Sequence, residues 1–293
     1  MRYLSHAHER APLMVRVADD MLADLRADVA ERCADRIVAL GRDGHHLALA
    51  MTRLDGQFFR QYGSNLVLSR ALVENALQDL EHHQGLRFPQ VDGFRRVAPR
   101  VDPADTVGGF RQLTDYLQAN RVPVGRPGSR ATVFDTSFKG TVQELLSAVY
   151  PETTFTGRYA FLGESPHDPH PGSKKGYEVH LSAAETRQGR PLYELPADES
   201  MLLEGLSRGR VSPRLRDLRV REGVKVVNLM AVADLARDVA GLRDAGGNYR
   251  SWLDDLGHAI PERDPRVDRR PLAGSAAGGV PRLVRAPRRQ AAG

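Results

Sequence analysis

Three times along this chain a short apolar run gives way to a polar turn and then to residues spaced as on a helix. Arg36-Ile37-Val38-Ala39-Leu40 runs into Gly41-Arg42-Asp43-Gly44-His45-His46, followed by Leu47, Leu49, Met51 and Leu54. Residues 65–68 run into Ser69-Arg70 and a helical pattern to about His83, and 131–134 run into a turn over 135–141, with Val142, Leu145, Leu146 and Val149 beyond it. Repeated units of this kind bury each strand between helices. The fold they imply is α/β, an open, mostly parallel sheet with flanking helices, Rossmann-like in its layering. Right-handed crossovers would bring the three polar turns to one edge of that sheet.

The remaining segments fit around this frame. Residues 1–13 read as a loose leader and 15–34 as a helix, with Cys33 as a small buried filler. The stretch 84–103 is irregular, 105–120 is helical, and 153–162 is a strand of β-branched and aromatic residues. The Pro- and His-rich stretch 163–176 is expected as a solvated loop, with Lys174-Lys175 free to close over an anion as a lid. Helices are expected over 198–206 (with Glu199 and Glu204), over 224–242 and around Trp252. One domain over 14–260 is therefore expected, with a disordered tail over 261–293.

Charge separates body from tail. Eight of the 42 basic and three of the 37 acidic residues fall in 261–293, which leaves 34 of each in the body. A neutral body gives no electrostatic argument for nucleic acid, so such a partner would be met only through the tail. No apolar run reaches the roughly 18 to 20 residues that span a bilayer, and Met1-Arg2-Tyr3-Leu4-Ser5-His6 lacks an apolar signal core. A cytoplasmic protein without membrane contact is the expectation.

The turns carry the candidate chemistry. In Asp135-Thr136-Ser137-Phe138-Lys139-Gly140-Thr141-Val142-Gln143, backbone N–H groups and a helix N-terminus could cradle a phosphate. Ser137, Lys139, Gly140, Thr141 and Gln143 would bind it, and Asp135 would hold a metal or a hydroxyl. Arg42 would serve as a bidentate anion ligand, Asp43 as a metal ligand or base, and Gly44 as a point of close backbone approach. Ser69 and Arg70 would add a third wall. The alternative for each is structural: Asp43, Asp135 and Ser69 as helix caps, with the basic side chains in solvent. The spacing G-x-x-x-x-G-K-[ST] of a P-loop is absent, as is the G-x-S-x-G elbow of α/β hydrolases.

Leu40-Gly41-Arg42-Asp43-Gly44, Leu68-Ser69-Arg70, the 135–143 turn, Thr156-Gly157-Arg158-Tyr159 and Leu203-Glu204 occur in that order. Their succession resembles a poorly characterised bacterial group, often linked to polysaccharide clusters, in which a related segment follows a haloacid-dehalogenase-like domain. That group has Asp-Ile-Gly-Trp-x-Gly-Thr-x-Gln in the turn, where this chain has Ser137 for the glycine and Phe138 for the tryptophan. The strand also resembles the first motif of haloacid-dehalogenase-like phosphatases, but Ser137 stands where their second acid belongs. The Asp…Gly-Thr turn is similar to the ribose-phosphate loop of type I phosphoribosyltransferases, with Phe134 in place of one of the paired acids.

The resulting expectation is a cytoplasmic enzyme acting on a phosphorylated sugar or nucleotide, by phosphoribosyl or phosphoryl transfer or by hydrolysis. Asp43 and Asp135 would be its catalytic and Mg²⁺-holding pair. The alternative is a non-catalytic sensing or scaffold module whose basic tail contacts nucleic acid or an acidic partner.

Overall fold

The computed structural model describes residues 11–95, 106–187 and 215–258. Five strands, β1 (Arg36–Leu40), β2 (Gly63–Leu66), β3 (Ser129–Phe138), β4 (Thr153–Gly163) and β5 (Lys174–Leu181), form one open sheet in the order β2-β1-β3-β4-β5. All four neighbouring pairs run parallel. The helices are α1 (Ala11–Ala30), α2 (Gly41–Leu54), α3 (Gly56–Tyr62), α4 (Arg70–Gln84), α5 (Asp92–Arg95), α6 (Gly109–Ala119), α7 (Thr141–Val149), α8 (Ala183–Arg187), α9 (Leu215–Asp244) and α10 (Tyr249–His258).

Alternation along the strands divides the interior into two cores. In β1, Ile37 and Ala39 face a layer built by α1, α2, α9 and α10, while Val38 and Leu40 face one built by α4, α6 and α7. Because both sheet faces are covered, the inner strands read as continuous apolar runs. The chain leaves β1 on the α2 side to form β2, then returns on the α4–α6 side to form β3. That reversal puts the topological switch point between the carboxyl ends of β1 and β3, where open α/β sheets form their crevices. Among the described residues no helix is long and apolar enough to cross a membrane.

Several boundaries differ from those expected. Helix α1 already includes 11–13, and Ala11 is buried. It ends at Ala30, so Cys33 lies beyond it and is exposed, not a buried filler. Strand β2 starts at Gly63 because its partner β1 fixes the register, Ile37 opposite Gly63 through Leu40 opposite Leu66. Beyond Leu66 there is no β1 left to pair with, and Val67 is exposed. Helix α3 and strand β5 were not anticipated. The 198–206 helix with Glu204 and the arginine-rich tail lie outside the described residues.

Two acids pin the outer layers. Asp55 caps α3 by accepting from the Phe58 N–H at 3.0 Å and also accepts from Arg26 of α1. Asp24 of α1 accepts from Lys175 and Tyr177 of β5. Burial alone would raise both carboxyls. The Phe58 N–H and Arg26 at Asp55, and Lys175 and Tyr177 at Asp24, outweigh it and hold both below the ordinary 3.8. A depressed carboxyl stabilises the fold above its unfolded value and loses that contribution as pH falls through the folded one. The double variant Asp24→Asn/Asp55→Asn should therefore lose less stability than the parent between neutral pH and about pH 3, measured by urea unfolding. Equal losses in the two proteins would remove these acids from the acid response.

Candidate functional site

At the switch point α2 begins the moment β1 ends. Leu40 occupies the N-cap position with extended backbone (φ −100°, ψ 132°) and no side-chain capping bond. Gly41-Arg42-Asp43-Gly44 therefore form the first helical turn rather than a preceding loop. This turn lies directly on β3: a Cβ at Gly44 would meet the Phe134 carbonyl oxygen at 3.1 Å and Asp135 Oδ1 at 3.5 Å. The first turn of α2 thus lies close to β3 at Asp135, and a side chain at Gly44 would need the Phe134 backbone to give by a few tenths of an ångström.

Ala39 pairs with Phe134, so Asp135 stands level with Leu40, the last residue of β1. Asp135 is half-buried, and its Oδ1 accepts from the Thr136 N–H at 2.7 Å. Strand β3 does not end there. Asp135, Ser137 and Phe138 pair with Tyr159, Phe161 and Leu162 of β4. The expected 135–141 loop shrinks to Lys139 and Gly140, because the longer β4 keeps its neighbour in ladder register. Ser137 is thereby a strand residue paired with Phe161 rather than a loop residue.

Gly140 takes the left-handed conformation (φ 67°) as N-cap of α7 and has no side chain to cap it. Lys139 before it is exposed, and Thr141 opens the helix half-buried. Helix α2 on one face of the sheet and helix α7 on the other both start at its carboxyl edge with no capping side chain at the N-cap. Unsatisfied N–H groups and the positive helix end favour an anion at such a place.

The third turn adjoins on the other side of β1. Leu66 is level with Leu40, and the His45 ring Nε2 lies 3.4 Å from the Leu66 carbonyl oxygen. Ser69 accepts from the Leu72 N–H at 3.2 Å and so caps α4, the structural role weighed above. Arg70 is exposed at the start of that helix.

Beneath the Gly140 turn lies a polar network that sequence reading missed. Gln143, expected as a ligand contact, is fully buried. Its Nε2 donates to the Phe155 carbonyl and to Ser173 Oγ, and its Oε1 accepts from the Tyr159 hydroxyl at 3.1 Å. It supports the turn from inside and has no face left for a ligand. Lys174, expected as a solvated lid, is buried with its ammonium between Glu144 and Asp168, the latter at 2.8 and 2.9 Å. His170 closes the cluster through a 2.7 Å contact between Nδ1 and Glu144 Oε2. The 164–173 connection is therefore fastened down at His170 and Asp168 rather than free in solvent. Burial, with the Asp135, Glu144 and Asp168 charges behind it, drives the Tyr159 hydroxyl well above its usual range, so it remains a neutral donor. The available signal was Glu144, a charge followed in its helix by Leu145, Leu146, Ala148 and Val149 and buried with them. A buried carboxylate demands a cation, and Lys174 is one.

Among the described residues no group of three or more His, Cys, Asp or Glu side chains is placed to hold a metal ion. Comparison with protein-family models, curated proteins and solved structures found no match to this chain.

Proposed function

We propose that the carboxyl edge of the sheet binds a phosphorylated sugar or nucleotide and supports phosphoribosyl or phosphoryl transfer, or hydrolysis. The observation that carries this reading is the close approach of Gly44 to β3 at the switch point, where an added Cβ would meet the Phe134 carbonyl oxygen at 3.1 Å and Asp135 Oδ1 at 3.5 Å. The N–H groups opening α2 and α7 would receive phosphate oxygens, with Lys139, Arg42 and Arg70 supplying charge. Asp135 and Asp43 would hold either a ribose hydroxyl or Mg²⁺. Mg²⁺ commonly binds through one or two carboxylates, with substrate phosphates and water completing its shell, so a pair of acids suffices. Bound there, the ion would neutralise charge on the phosphates. The chain's own residues would orient the ligand and hold it against the fixed amides, which is the main demand of phosphoryl chemistry.

Resemblance to type I phosphoribosyltransferases favours a ribose phosphate among such ligands. A thermal-shift screen of nucleotides, phosphoribosyl pyrophosphate and sugar phosphates, each with and without Mg²⁺, tests the reading. A ligand at about a hundred times its Kd stabilises the native state by about 2.7 kcal/mol. At least one phosphorylated compound should raise the melting temperature, more so with Mg²⁺. No shift across the panel would favour the sensing or scaffold module instead.

A further inference from the structure

A second cluster of cations occupies the opposite, amino edge of the sheet. Arg36, the first residue of β1, is 7% exposed, yet among the described residues its charge meets no carboxylate. Its guanidinium donates to neutral oxygens: Ser64 Oγ at 3.1 Å and the carbonyls of Gln61 at 2.6 Å and Gly63 at 3.2 Å. Buried cations are ordinarily paired with an acid. Beside it opens a polar-lined cleft of about 380 Å³, whose wall includes Arg60, Ser64, Asn65, Asn120 and Arg121. That volume falls within the range of small-molecule sites. Neither Arg60 nor Arg121 makes an ion pair among the described residues, so two like charges line one concavity and a third, Arg36, lies behind its Ser64 wall.

The backbone adds an independent sign. Arg121 follows the α6 C-cap, Asn120, in the left-handed conformation (φ 64°), and the Val122 N–H returns to the Leu117 carbonyl at 2.9 Å. Glycine is the residue this position favours, since a Cβ strains it. A non-glycine residue held there is the kind of local strain that clusters at binding sites. Burial and the nearby Arg121 charge both disfavour the Arg36 cation, which an anion between them would relieve.

We propose that this amino-edge cleft is a second anion site, separate from the carboxyl edge, which takes the phosphate group of a small molecule between Arg121, Arg60 and the Arg36-backed wall. Asn65 and Asn120 supply amide groups to orient the rest of the ligand. Calorimetric titration of the full chain with inorganic phosphate tests it. The parent protein should bind phosphate, and Arg121→Gly should weaken that binding by on the order of tenfold. Glycine suits φ 64°, so the variant should melt at or above the parent temperature, which separates lost binding from lost folding. Gly44→Val, at the other edge, should leave this binding step intact. Absence of phosphate binding in the parent, or equal affinity in Arg121→Gly, would overturn the proposal. So would loss of all binding in Gly44→Val alone.

Discussion

Lys174→Met should cost the fold about 3–5 kcal/mol, lowering the melting temperature by roughly 10 °C. The Lys174 side chain is 2% exposed, and the Glu144 side chain it serves is fully buried. Methionine fills the same volume but leaves Glu144 and Asp168 facing each other's charge across a site water barely reaches. Half-exposed His170 then remains beside the Glu144 carboxylate, its Nδ1 2.7 Å from Oε2. Removing one partner of a buried pair is costly because the other charge is stranded, whereas removing both is often close to neutral. Adding Glu144→Gln to Lys174→Met should therefore recover part of the loss. Chemical unfolding of the two single variants and the double measures the coupling. A melting temperature within a degree or so of the parent in Lys174→Met would mean the network is solvated and of little consequence.

Gly140→Ala ranks next, at about 2–5 kcal/mol. Two causes add. An L residue at φ 67° is strained, and the new Cβ would sit 2.6 Å from Lys174 Cε and 3.1 Å from the Tyr159 hydroxyl. Lys174 is a flexible chain, but its ammonium is tied to Glu144 and Asp168, so it cannot swing aside without breaking those bonds. The two substitutions should therefore be less than additive when combined. Gly140→Asn carries the same Cβ but tolerates the left-handed region better, and a smaller loss would isolate the backbone share. Equal unfolding free energies for parent and Gly140→Ala would contradict the packing described for this turn.

Both predictions concern residues whose importance was only partly legible in the sequence. The α/β class was legible because strand–turn–helix alternation is local and repeated, and the carboxyl-edge turns followed from it through handedness alone. What escaped depended on neighbours far away in sequence. The end of β3 was set four residues too early because its extension is held by β4, not by its own composition. Strand β5 went unseen because Lys174-Lys175-Gly176 looks like loop, and its pairing with Gly157 and Arg158 is a tertiary fact. Gln143 seemed available for a ligand because nothing in its local pattern shows that Tyr159 and Ser173 occupy its amide. The Arg36 cluster was equally hidden, since Arg60 and Arg121 approach it from 24 and 85 residues away.

Gly44 and Asp135 were chosen from sequence on separate grounds, and the proposed site depends on their close approach at the switch point. The most direct test is calorimetric titration of the best phosphorylated compound from the thermal screen, with Mg²⁺, into parent, Gly44→Val and Asp135→Asn. Tight binding in the parent should weaken by on the order of a hundredfold in Gly44→Val, whose side chain would project onto Asp135. In Asp135→Asn the dependence on Mg²⁺ should disappear. Unchanged affinity in both variants, each still folded by its melting curve, would place the ligand elsewhere and contradict the assignment of this edge.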